Sequence, residues 1–235
     1  MSMKVRFEFL NRKPGMSAEQ FSAHWLDVHG PLVAQMNPHL REYWQNVVVE
    51  RQQRGVDAAR GPWDFDGLSQ LWIDEGGADE RAAYDGDSAQ RIAADCDLFI
   101  GELHIVTAEQ FSVVPVPDDP SVRGKLLKRI STLKRKPEVS ESQFRDKWEA
   151  HRELVGKMPH VCGYRQNVVV SREWVKGTPC SYEQMPIDGL VEIWFETNES
   201  LVDAFASPEG QRTQEHGRTF LAEATAFRVE EHRAI

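Results

Sequence analysis

The chain has 235 residues, 40% hydrophobic and 28% charged, an ordinary composition for a folded protein in water and enough length to bury a sizeable core. A net charge of −9 with a pI near 5.4 argues against nucleic acid or an anionic membrane surface as partner, because both select clustered Lys and Arg. Three cysteines without CxxC spacing, Cys96, Cys162 and Cys180, indicate neither a disulfide framework nor a zinc site, and no stretch approaches the roughly 20 apolar residues of a membrane span, so a cytoplasmic location is expected.

Residues 4–10 alternate as a strand does, with Val5, Phe7 and Phe9 on one side and Arg6, Glu8 and Leu10 on the other. Ser17-x-x-Gln20 is a capping box that opens a helix, and Phe21, Trp25 and His29 then share one face of it. Pro38-His39 follows, then a strand over residues 40–51 that places Tyr43, Gln45 and Val47 on one face and Trp44, Asn46 and Val48 on the other. Residues 52–65, which hold Trp63, lack periodicity and form a long loop of the kind that serves as a lid or binding loop. Asp66-Gly67 opens a further strand, LSQLWI; a second helix is expected over 79–95 and a closing strand over 103–114.

The same series then returns. Residues 136–170 repeat residues 13–49 with Lys-Pro, Ser-x-x-Gln, Phe, Trp, His, Leu-Val, Met, Pro-His, Tyr-x-Gln-Asn and Val-Val-Val in the same order, so the chain holds two copies of one structural unit. In the second copy a strand over 126–133 sets Arg129 at the position of Arg6. A helix from Ser140 aligns Phe144, Trp148 and His151, and Pro159-His160 precedes a strand over 161–172 that carries Tyr164 and Asn167. A loop over 171–187 holds Trp174. Asp188-Gly189 precedes LVEIWF with Glu192, a helix over 199–216 breaks at Pro208, and a strand over 224–232 closes the copy. The boundaries are thus 1–114 and 125–235, with the Pro-rich 115–124 as linker. The basic run Lys125, Lys128, Arg129, Lys134, Arg135 and Lys136 is expected to be a solvated strand edge.

Each copy reads β-α-β-β-α-β, a ferredoxin-like α+β unit whose sheet has one bare face. Two such sheets can cover each other as a pseudo-dimeric α+β barrel or a face-to-face sandwich, with a pocket between a sheet and its helices or between the sheets.

The Lys-Pro-x-x-Ser-x-x-x-Phe-x-x-x-Trp opening, the histidines His29 and His151, the Tyr-x-Gln-Asn strands at 43–46 and 164–167, and Asp-Gly-Leu ahead of Trp72 and Trp194 resemble the EthD domain of the dimeric α+β barrel superfamily. The resemblance implies that tandem copies build within one chain the barrel that two chains usually build, with a homodimer of the whole chain as a further expectation. It also implies cofactor-free chemistry on small aromatic, lactone or polyketide-like compounds, as in decarboxylases, dehydratases, cyclases and muconolactone isomerases; other members have no assigned activity. Two departures stand out: the carboxylate often found on the third strand is Glu192 in the second copy but Gln70 in the first, and His39 and His160 stand where the family often has glycine.

His29 and His151 are candidate general acid/base groups at neutral pH, or else packing histidines bonded to backbone carbonyls. Tyr43 and Tyr164 are candidates to stabilise a developing enolate or phenolate oxygen, or else strand tyrosines that pack their rings. Glu192, on an apolar strand, is a candidate base or a rim carboxylate paired with Arg129. His39, His160, Asn46, Asn167, Trp63, Trp174 and Arg129 make up the substrate-contacting set. A metal site from the four histidines lacks HxH or i, i+4 spacing, so neither metal nor cofactor is expected. The leading expectation is a cofactor-independent lyase or isomerase, by decarboxylation, retro-aldol cleavage or lactone isomerisation, acting on a small aromatic-derived compound in the pocket that includes Glu192. A non-catalytic binding protein and a haem- or quinol-type monooxygenase are the alternatives.

Overall fold

A computed structural model describes residues 3–37, 40–73, 86–175 and 178–235. The first repeat contributes β1 (Met3–Arg12), α1 (Ala18–His24), a π-helical turn (Trp25–His29), α2 (Gly30–Met36), β2 (Leu40–Glu50), β3 (Gly67–Ile73), α3 (Asp87–Phe99) and β4 (Ile100–Val114). A short α4 (Pro120–Arg123) leads to the second repeat. There β5 (Leu127–Arg135), α5 (Glu141–Val155), β6 (Gly163–Val175), β7 (Thr178–Pro179), β8 (Gly189–Phe195), α6 (Asn198–Ala206), α7 (Pro208–Gly217) and β9 (Leu221–Arg233) follow.

Eight strands pair antiparallel in the order β4-β1-β3-β2-β9-β5-β8-β6, and a β4–β6 pairing closes the barrel, with the two-residue β7 attached to β6. Each repeat supplies four neighbouring strands, and the two seams, β2–β9 and β4–β6, each join the second strand of one repeat to the last strand of the other. Closure within the chain removes the free edges that an open sheet would present. Val5, Phe7 and Phe9 turn into the barrel to meet Leu68, Val106 and Phe227, so the strand periodicity of the first copy marks its interior face. The outer faces pack under the helices, as Leu10 does against Phe21, Trp25 and Phe99, and Leu133 against Phe144, Trp148 and Phe220.

The two opening helices differ by one residue between tryptophan and histidine: Trp25 and His29 are four apart, Trp148 and His151 three. One inserted residue in an α-helix turns everything beyond it by about 100°. The π-helical turn takes up the extra residue, so His29 stays buried on the sheet side while α5 runs unbroken to present His151. The Asp-Gly pairs also acquire a reason. Asp66 and Asp188 each accept the backbone N–H and the guanidinium of an arginine at the end of the first strand of their repeat, Arg12 and Arg135. A Cβ at Gly67 or Gly189 would run into the indole of Trp25 or Trp148.

Two expectations need correction, those for the basic run and for Trp174. The basic run is no solvated edge: β5 lies between β8 and β9, and Lys128 and Arg129 are buried on opposite faces of it. Lys128 takes the interior position that Val5 holds in the first repeat; its Nζ lies 3.0 Å from both Glu192 Oε2 and Glu231 Oε2 and 2.8 Å from Gln70 Oε1. The linker does more than connect. Arg123 of α4 is buried, forks onto Glu231 at 2.7 and 2.9 Å and lies over the Trp44 ring at 3.8 Å, so it ties the linker to both repeats. Burial pushes the Glu231 carboxyl up, but Lys128 and Arg123 outweigh it and hold it at about 2. Trp174 stands on β6, which runs to Val175, rather than in a loop. Of the helix expected over 79–95, residues 79–85 lie outside the described residues.

Candidate functional site

A cavity of about 460 Å³ opens in the second repeat, between the outer face of β5, β6 and β8 and the helices α5 and α7. Its roof comes from the other repeat: residues 56–59, in the loop between β2 and β3, cross over to it. Asp57 N–H donates to Gln214 Oε1 at 2.9 Å, Ala224 N–H to Ala59 O at 3.0 Å, and Arg218 pairs with Asp57. Arg129, Tyr164, Trp148, His151 and Phe220 line it, with Ser131 on the floor.

The capping box at Ser140 and Gln143 fixes where α5 begins, and the helical period then turns Phe144, Trp148 and His151 to the sheet. His151 Nδ1 lies 2.9 Å from Nδ1 of His216 on α7, so one of these nitrogens donates to the other. Burial and the neighbouring His216 push the His151 pKa down to about 4, which leaves its imidazole neutral at pH 7. The Tyr164 hydroxyl accepts a hydrogen bond from Gln166 Nε2 at 3.1 Å and is bonded to the Trp148 side chain. Burial lifts its pKa to about 12, so the phenol keeps its proton and has it to donate. Gln166 also donates to Trp148 O at 2.9 Å and accepts from Arg152 at 2.8 Å, so the glutamine of Tyr-x-Gln-Asn ties the strand to the helix above it. Arg129 is 3% exposed; its Nη1 donates to Arg54 O, and its Nη2 has no hydrogen-bond partner among the described residues. Burial lowers its pKa to about 10, against the pull of Glu50, and the group remains a cation at neutral pH.

In the first repeat the matching positions are occupied differently. His29 Nδ1 lies 2.7 Å from Asp95 Oδ2, and Asp95 Oδ1 lies 3.0 Å from His24 Nε2; Asp95 holds the place of His216. Tyr43 accepts from Trp25 Nε1 at 3.1 Å, and burial raises its pKa far above the usual phenol value. Arg6 is met by Glu8 at 3.2 Å and by Glu173 at 3.5 Å, whereas the residue of the second repeat matching Glu8 is Ser131.

The structure therefore gathers His151, Tyr164 and Arg129 at one cavity and puts the other described candidates elsewhere. Asn46, Asn167 and Glu192 point into the barrel, on the opposite face of the sheet from the tyrosines, because residues three apart on a strand face opposite ways. Glu192 pairs with Lys128 rather than Arg129, and burial, which would raise its pKa, loses to Lys128 and Arg165, which keep it low. Trp63 and Trp174 pack on His104, with ring centroids 5.5 and 4.9 Å away, and do not line the cavity. His160 sits in an exposed turn with φ 63°, a left-handed backbone that accounts for the glycine often found there in the resembling family. His39 lies outside the described residues. His216 and Gln166 were not among the sequence candidates; aligning the second helices of the two copies, which pairs Asp95 with His216, is the signal that finds the first. Among the described residues no group of three or more His, Cys, Asp or Glu is placed to hold a metal ion, and no helix is long and apolar enough to cross a membrane.

The EthD domain model matches residues 13–102 and again residues 136–224. No curated protein matches the chain by sequence. Among solved structures the chain is similar to an anthrone oxidase-like protein at 10% identity, covering 99% of this chain and 93% of that one with a TM-score of 0.63. It is also similar to a candidate monooxygenase from Lactobacillus acidophilus NCFM (7% identity, 100% and 95% covered, TM-score 0.57) and to another from Fusobacterium nucleatum (7%, 98% and 92%, 0.59). At such identities the likeness is one of fold. With two successive matches to one domain model covering most of its length, the chain belongs to the EthD domain family and carries two copies of the domain in tandem.

Proposed function

We propose that the second-repeat cavity performs cofactor-independent proton transfer on a small aromatic-derived compound, as a lyase or isomerase. The observation that carries this reading is a neutral imidazole and a proton-bearing phenol lining one cavity with aromatic walls. Its volume lies within the ~300–1,000 Å³ typical of small-molecule sites. His151 takes a proton from the carbon or hydroxyl of the bound compound, and His216 accepts a hydrogen bond from the imidazolium that forms. Tyr164 donates its hydroxyl proton in a hydrogen bond to the oxygen that gains charge. His29, Tyr43 and Glu192 are assigned to holding the fold.

The test is deuterium uptake from D₂O, followed by proton NMR, over a panel of aryl ketones, acetylbenzoates and aromatic lactones. At least one compound should exchange faster with the protein than without it, and His151→Ala should lower that rate by about 10²–10⁴-fold. No acceleration across the panel, or full exchange by the variant, rejects the reading. The names of the fold neighbours favour a second reading, in which the carbanion or phenolate formed by the same proton removal reacts with O₂. Oxygen uptake with the same panel separates the two, and a Soret band on haem addition would mark the haem-type variant.

A further inference from the structure

In the first repeat Arg6 faces a carboxylate on its own strand, Glu8, and a second from the other repeat, Glu173. In the second repeat the strand carboxylate is gone. Ser131 replaces it; among the described residues Arg129 hydrogen-bonds the backbone carbonyl of Arg54 and feels the more distant charge of Glu50, and a cavity lies beside Arg129 and Ser131. Burying a guanidinium with one nitrogen unpartnered is costly unless something else completes it. Apolar and aromatic side chains surround the charge: Phe205 lies 5.8 Å from the Arg129 guanidinium, and Trp148, Phe220 and Ile193 form other parts of the wall.

We propose that this cavity is built for an aromatic carboxylate, with the ligand's carboxylate on Arg129 in the role that Glu8 plays for Arg6, and its ring among the aromatic side chains. The proposal rests on the cavity being the functional site and names the class of its substrate. Arginine suits the task because its planar fork matches a carboxylate. The depressed pKa of Arg129 agrees with a cation that lacks a full complement of partners. The chemistry narrows as well. A carboxylate held by an ion pair is stabilised in the ground state, which opposes its own loss as CO₂, so the anion serves as a handle and the reacting carbon lies elsewhere, toward His151 and Tyr164.

The experiment is calorimetric titration of the full chain with benzoate and with benzamide, which share a ring and differ in charge. The intact protein should bind benzoate at least about tenfold more tightly than benzamide, as a charge-assisted pair predicts. That ratio should fall to about one in Arg129→Gln, and equally in Ser131→Glu, which restores the first repeat's own pair; if Arg129→Gln does not fold, Ser131→Glu decides. Equal affinities in the intact protein, no binding of either probe, or a preference that survives Ser131→Glu overturns the proposal. Because titration needs no turnover, failed deuterium exchange with the benzoate preference intact counts against the proton-transfer reading alone, and the reverse result counts against the carboxylate assignment alone.

Discussion

At the scale of single residues, the two halves differ in what stands beside each helix histidine. Asp95 anchors His29, while His151 meets a second imidazole in His216 and shares a cavity with a tyrosine. Burial holds the pKa values of His151, His216 and His104 below the usual imidazole value, that of His151 at about 4. In the unfolded chain each takes a proton near pH 6.5, so as the pH falls from about 6.5 to about 4 the unfolded state binds more protons than the folded one and stability drops. Melting temperatures measured across that window should fall with pH, and His151→Gln should flatten part of the fall; a melting temperature that rises toward pH 4 would contradict the burial of these imidazoles. The alternation that separates Tyr164 from Asn167 was legible in the sequence. Which face holds the cavity was not, because a barrel covered by helices buries both faces of its strands, and an apolar pattern then marks neither as the site.

At the scale of elements, helix and strand meet through a tryptophan lying on a glycine. Trp148 of α5 rests where Gly189 begins β8, and Trp25 rests in the same way on Gly67. Gly189→Ala should cost about 1–3 kcal/mol by overpacking against the indole, measured by denaturant unfolding. A change under about 0.5 kcal/mol, the size of a neutral surface substitution, would show that the contact yields freely. The Asp-Gly pairs could be found by comparing the copies, but their reason could not, since it depends on a ring supplied from another element. The π-helical turn was foreshadowed by the extra residue between Trp25 and His29, which spacing alone records as two histidines that each fall on a core-facing side. Proline and charge mark residues 115–124 as a linker, and nothing in that pattern reveals that the one arginine at its end turns inward to Glu231.

At the scale of the molecule, duplication produced two repeats that share a frame and diverge inside it. The barrel interior of the second repeat carries Lys128 and Glu192 where the first carries Val5 and Gln70, a paired exchange of charge for neutral groups. Lys128→Val alone removes the direct ion-pair partner of the buried Glu192 and should cost about 3–5 kcal/mol. Lys128→Val with Glu192→Gln, which reinstates the first repeat's pair, should recover much of that loss in a double-mutant cycle; additive losses would mean that the two charges do not act together. The cavity is likewise a property of the whole chain, since the first repeat roofs the site of the second through residues 56–59. The proposed chemistry resides in the second repeat's cavity and not at its counterpart in the first. Deuterium exchange into one panel compound, compared between His151→Ala and His29→Ala, tests it most directly. The rate should fall by about 100-fold or more in the first variant and by no more than about threefold in the second; equal losses in both, or a loss confined to His29→Ala, would contradict it.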